Sequence, residues 1–229
     1  MKYLIFFITI ISLKLYAADN IATPSTYKIT MTKAELCTSA ACTTSTVLAE
    51  KTTTFDIASA SAGADVGNWI TSFALEVGTT YTHVKATMNT TFTIAGYTTN
   101  SNIASDNCVT EASPSTDSAH NTPAIITGSN ATTNAEMNYV VPNPVNAENG
   151  AVYGDLTGTF STNGLTKSTD ASTMYWIGAL PSSYTPTANS APKFTISFDV
   201  TNQLKSTKAG ANTCYMWVEP PSVSVTIAE

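Results

Sequence analysis

The run SVSVTI near the end of the chain sets Val223, Val225 and Ile227 against Ser222, Ser224 and Thr226. A period of two is the signature of a strand with one buried and one wet face. The same period occurs in TYKITM, where Tyr27, Ile29 and Met31 oppose Lys28, Thr30 and Thr32. It occurs again from Tyr81 to Ile94, with Val84, Ala86, Met88, Thr90, Phe92 and Ile94 on one side and Tyr81, His83, Lys85 and Thr87 on the other. No long stretch carries the 3.6-residue period of an amphipathic helix. Such a chain buries its apolar atoms by stacking sheets.

Further strands are predicted within Ser45–Ala58, Ala171–Leu180 and Pro192–Val200. Two Asn-Gly steps, Asn149-Gly150 and Asn163-Gly164, lie between short β-type runs and predict two-residue hairpins. Residues 97–123 are polar and without period, and read as a long loop. About ten strands with frequent turns give an antiparallel β-sandwich. An outer-membrane barrel is the competing architecture. It requires aromatic girdles, and aromatics are 9% of this chain.

Residues 1–17 read as a secretory signal peptide. Lys2 is followed by an apolar run from Tyr3 to Leu13, and small residues stand at Ala17 and Ala18. The run is shorter than the ~20 residues a membrane span needs, and no later stretch is long and apolar enough to make a transmembrane helix. Residues 18–229 form one domain on this reading. The localisation expected is secreted, to the periplasm or the cell surface.

Without Lys2 and Lys14, eight lysines and no arginine face sixteen acids, a net charge of about −8. No basic patch exists to neutralise phosphates, so nucleic acid is not an expected partner. Only 11% of residues are charged. Threonine and serine supply the wet faces instead, and threonine's β-branching suits strands.

Four cysteines, Cys37, Cys42, Cys108 and Cys214, are an even count in a chain read as exported, which predicts two disulfides. Three pairings exist. The short spacing in CTSAAC favours Cys37–Cys42, leaving Cys108–Cys214. A zinc site would need a second paired knuckle, which the spacing lacks.

The succession YKITMTKAELC, FDIASASAG and FALEVGTTYTHVKATM resembles bacterial exported β-sandwich domains of uncharacterised function, the DUF4382-like group of prealbumin or carbohydrate-binding type. Phe55-Asp56-Ile57 resembles that group's aspartate–apolar segment. Leu75, Gly78, Tyr81, Val84 and Lys85 resemble its L-x-x-G-x-Y strand. The likeness covers Tyr27–Ile94. It implies a sandwich in a surface or periplasmic setting and brings no catalytic residues. The expected fold is therefore all-β, an immunoglobulin-like or prealbumin-like antiparallel sandwich with a long polar loop insertion.

Catalytic chemistry finds little to stand on. There is no G-x-S-x-G elbow, and Ser25-Thr-Tyr-Lys28 matches S-x-x-K in strand-like sequence rather than at a helix start. The histidines, His83 on a strand and His120 in the polar loop, have no local motif. No EF-hand loop is present; Asp65 and Asp106 are the acids nearest to a loop calcium site. No catalytic residue, metal or cofactor is assigned.

Two binding readings remain. Trp176, Tyr175 and Tyr184, with Trp69 and Trp217, are candidates for a sugar-stacking platform, although large aromatics more often fill cores. The extended N-terminal stretch and SVSVTI are candidates for pairing with a second copy or with other surface proteins. The expected function is a non-enzymatic structural or adhesive role, with carbohydrate binding as the alternative and glycans as the ligand.

Overall fold

A computed structural model describes residues 20–59, 74–112, 123–145, 155–189 and 192–228. Fifteen strands lie among them. They begin with β1 (Asn20–Ala22), β2 (Thr26–Cys37), β3 (Ser45–Asp56), β4 (Tyr81–Asn89) and β5 (Thr91–Ala95). Next come β6 (Tyr97–Thr99), β7 (Asn107–Val109), β8 (Ala124–Ser129), β9 (Met137–Val140) and β10 (Leu165–Lys167). The last five are β11 (Thr173–Tyr184), β12 (Lys193–Asp199), β13 (Leu204–Gly210), β14 (Thr213–Val218) and β15 (Ser222–Ala228). One short helix, α1 (Thr157–Thr162), is described.

The chain is all-β, and every strand pairing is antiparallel. A seven-stranded sheet runs β10-β11-β4-β2-β5-β9, with β3 on the free side of β2. A six-stranded sheet runs β1-β13-β14-β8-β7-β6, and β12 pairs with β15 in a third, two-stranded sheet. One continuous apolar core joins all three, so this is a sandwich-like fold.

The alternation in the sequence sets which faces are buried. Val84, Ala86, Met88, Thr90, Phe92 and Ile94 are all buried. β4 and β5 lie end to end along β2, β4 beside Met31–Cys37 and β5 beside Thr26–Lys28. Thr90 marks the break. Its carbonyl accepts from Val141 N at 2.8 Å, its N–H donates to Ser172 O at 2.9 Å, and its hydroxyl donates to Ala171 O at 3.0 Å. On one side of Thr90 the outer neighbour is β11; on the other it is β9. One long ribbon therefore carries two different outer strands.

β2 changes parity partway. Tyr27, Ile29 and Met31 point inward, and after a register shift between Met31 and Lys33 the buried set becomes Ala34 and Leu36. The extra residue of a bulge moves the following side chains to the other face.

Three expectations are corrected. The segment read as an unbroken loop over 97–123 contains β6 and β7, and 113–122 lie outside the described residues. These three-residue strands have no apolar period; they are held by backbone pairing, with side-chain bonds on β6 and beside both strands. Thr98 and Ser206 share a hydroxyl–hydroxyl bond of 2.5 Å, and Gly96 N donates to Thr110 Oγ1 at 3.0 Å. Second, the run before Asn163-Gly164 is a helix, not a strand. Gly164, at φ +67°, ends it in the left-handed conformation, its N–H donating to Ser161 O. Third, Tyr81 does not share the open face of His83 and Lys85 but is fully buried. β11 carries an irregularity between Ala179 and Tyr184 opposite His83 and Tyr81, so simple parity fails at that end. Asn149-Gly150 and the signal-peptide residues lie outside the described residues.

Candidate functional site

Both predicted disulfides form. Cys37–Cys42 closes the turn between β2 and β3, with a Cα–Cα distance of 4.9 Å. Cys108–Cys214 joins β7 to β14, the strands on either side of β8, at 6.0 Å. Both of its sulfur-bearing residues are fully buried, and Asn100, also buried, donates to Cys108 Sγ at 3.7 Å. Disulfides of this kind form and persist in oxidising compartments.

The open face of the seven-stranded sheet holds a charged ladder rather than a bare wet surface. Glu35 is only 6% exposed. Its carboxylate accepts from Ser45 Oγ at 2.8 Å and pairs with Lys33 at 3.1 Å and Lys85 at 3.7 Å. Burial resists ionisation of Glu35, but the Ser45 hydroxyl and the two lysines outweigh it and hold the carboxyl below its ordinary range. Lys85 also stands 4.6 Å from the centre of the Tyr175 ring. His83, half-buried, shares a 2.8 Å hydrogen bond with Thr82. Val84 is buried, as the register requires.

The predicted aromatic platform is not brought together. Tyr175 lies under Lys85 on the outer face, while Trp176, the next residue, lines an apolar cavity of about 100 Å³ on the inner face. That cavity lies between β4, β11, α1 and the β12–β15 pair, bounded by Ala86, Met88, Phe160, Met174, Ile196 and Val223. The Trp176 ring covers Gly178 so closely that a Cβ there would meet it at 2.2 Å. Tyr184 is buried and packs edge-on against Phe194, with ring centres 5.9 Å apart. Trp217 donates to Glu219 at 2.9 Å. Trp69 lies outside the described residues, as do His120 and Asp65.

A third cluster escaped the sequence reading. It lies beside the Thr90 break and consists of Asn143, Lys167 and Asp170. Asn143 is 1% exposed and Lys167 6%. Lys167 Nζ donates to Asn143 Oδ1, which also accepts from the Asp170 backbone N–H at 2.9 Å. Asn143 Nδ2 donates to the Asp170 carboxylate at 2.9 Å. Asp170 itself is exposed and has φ +53°, in a turn closed by Ala171 N donating to Ser168 O at 3.2 Å. Its only signal in the sequence is Lys167 two residues after Leu165, on the parity of an inward position.

Among the described residues no three His, Cys, Asp or Glu side chains converge, and no helix is long and apolar enough to cross a membrane. No family model, no curated protein and no solved structure matches the chain.

Proposed function

We propose that this chain is an exported, non-enzymatic sandwich domain with a structural or adhesive role in the periplasm or at the cell surface. The observation that carries the reading is the Cys108–Cys214 bridge, which closes a separation of 106 residues inside the core. A fold that depends on such a bridge suits an oxidising compartment, and the apolar run at the N-terminus suits export to one. The wet faces support the same reading. β3 is a twelve-residue outer strand whose exposed side chains are mostly Ser, Thr, Glu and Lys. Hydroxyl-rich surfaces of this kind present many hydrogen-bonding groups to water or to a partner.

Assembly through terminal strands belongs to this proposal in a limited form. β1 is paired with β13 and β15 with β12, so both terminal strands are already used within the chain. β15 has β12 as its one strand partner among the described residues, which leaves its other edge as the candidate for a second copy.

Antibody labelling of intact and of opened cells tests the compartment. Signal on intact cells, or release with the periplasmic fraction, is the expected outcome; signal confined to the cytosol contradicts the proposal. Size exclusion of the purified chain at rising concentration tests the assembly. A strict monomer at high concentration removes the strand-pairing form and leaves the compartment untouched.

A further inference from the structure

The Asn143–Lys167–Asp170 cluster has more order than a buried lysine needs. Lysine is almost never buried unless paired, and a carboxamide in contact with an amine is an electrophile beside a nucleophile. The orientation of Asn143 is fixed by its partners: Oδ1 faces two donors and Nδ2 faces a carboxylate. Turning the amide over would set like against like on both sides. The carbonyl carbon Cγ is thus polarised by the Asp170 N–H, in the manner of an oxyanion hole. The future leaving group, Nδ2, donates to the Asp170 carboxylate, which is therefore placed to carry a proton to it once it has taken one up. Asn143 and Lys167 are both buried, which limits the access of water to the carbon.

We infer that Lys167 and Asn143 react to form an intramolecular isopeptide bond, with Asp170 relaying the proton. The neutral Lys167 amine attacks Asn143 Cγ, and its proton passes to the Asp170 carboxylate. Negative charge collects on Oδ1, where the Asp170 N–H holds it. Asp170 then protonates Nδ2, the Cγ–Nδ2 bond breaks, and ammonia leaves. One C–N bond forms, one breaks, and no oxidant or cofactor is required. The left-handed backbone of Asp170 directs both its N–H and its carboxylate at Asn143, a strained conformation of the kind that gathers at functional sites.

The position of the bond gives it a use. Asn143 follows β9, and Lys167 ends β10 beside β11. These are the two sets of outer strands that separate at Thr90. The bond joins them covalently at the point where the long ribbon changes neighbours. It is also insensitive to reductant, which neither disulfide is.

Intact mass of the purified, fully reduced chain tests this. The expected result is a mass about 17 Da below the sequence value, the loss of one ammonia. Protease mapping then recovers the peptides holding Asn143 and Lys167 as one branched species. Lys167→Arg and Asn143→Ala each restore the full sequence mass. Asp170→Ala keeps both reacting side chains and leaves them unlinked; full linkage in that variant overturns the relay. A wild-type chain at full sequence mass, with the two peptides recovered separately, overturns the proposal outright. A loss of about 18 Da, meaning water from a carboxyl group, also overturns it. The wild-type measurement decides even if a variant fails to fold. It also bears no relation to the compartment, so its failure leaves the export proposal standing.

Discussion

The two large sheets are tied in different ways. The six-stranded sheet has a long tie, Cys108–Cys214, across a separation of 106 residues. The seven-stranded sheet has only the short Cys37–Cys42 disulfide, separation 5, at its β2–β3 turn, and a polar cluster where its ribbon splits. The first sheet includes three-residue strands in polar sequence, and side-chain bonds and a covalent tie hold them. The second carries the long alternating strands and needs less help to hold register. The long tie therefore falls where the apolar period is weakest, at β6–β7, while the polar cluster of the other sheet sits where the ribbon changes its outer neighbour at Thr90.

Removing each tie measures this difference. The Cys108→Ala/Cys214→Ala double variant frees the long loop in the unfolded chain and is expected to lose about 4–5 kcal/mol in urea unfolding. The Cys37→Ala/Cys42→Ala double variant is expected to lose only about 2 kcal/mol by the same loop-entropy argument. Equal losses would mean that the six-stranded sheet does not depend on its tie as described.

The smallest effect concerns Glu35. Its carboxyl is held below the ordinary range in the folded chain, so its contribution is present above the unfolded value and is lost as pH falls through the folded one. Glu35→Gln should lower the unfolding free energy in urea at neutral pH by less than about 1 kcal/mol. It should also flatten the wild type's loss of stability below pH ~4.3. Identical acid slopes in the two proteins would remove Glu35 from the account.

The parts of the fold that follow period two were legible. Val84 to Ile94, Tyr27 to Met31 and the amphipathic last strand could be read because one face of each packs on the core. The cysteine pairing was legible from spacing. What was hidden depends on partners distant in sequence. The β2 bulge falls at Thr32-Lys33, where neither residue is apolar enough to mark the change of face. Tyr81 is buried because β11 is irregular nearly a hundred positions later. β6 and β7 have no pattern because a buried hydroxyl pair, Thr98–Ser206, and the Cys108 disulfide hold them instead of an apolar face. α1 is too short to display a helical period, and its Asn-Gly end looks like a hairpin. The Asn143–Lys167–Asp170 cluster joins the segment after β9 to the end of β10 and the turn that follows it, and nothing local in the sequence joins Asn143 to the other two.

Pulling the folded chain by its two ends tests most directly how differently the two sheets are tied. With disulfides intact, the residues between Cys108 and Cys214 stay out of the extension. Reductant releases that loop, but the segment between Asn143 and Lys167, separation 24, remains closed if its bond has formed. At ~3.5 Å per residue, with the short Cys37–Cys42 loop released as well, the added extension is then about 300 Å. An added extension of about 390 Å, both loops in full, would show that the seven-stranded sheet has no covalent tie at its split. No added extension on reduction would contradict the tie assigned to the six-stranded sheet.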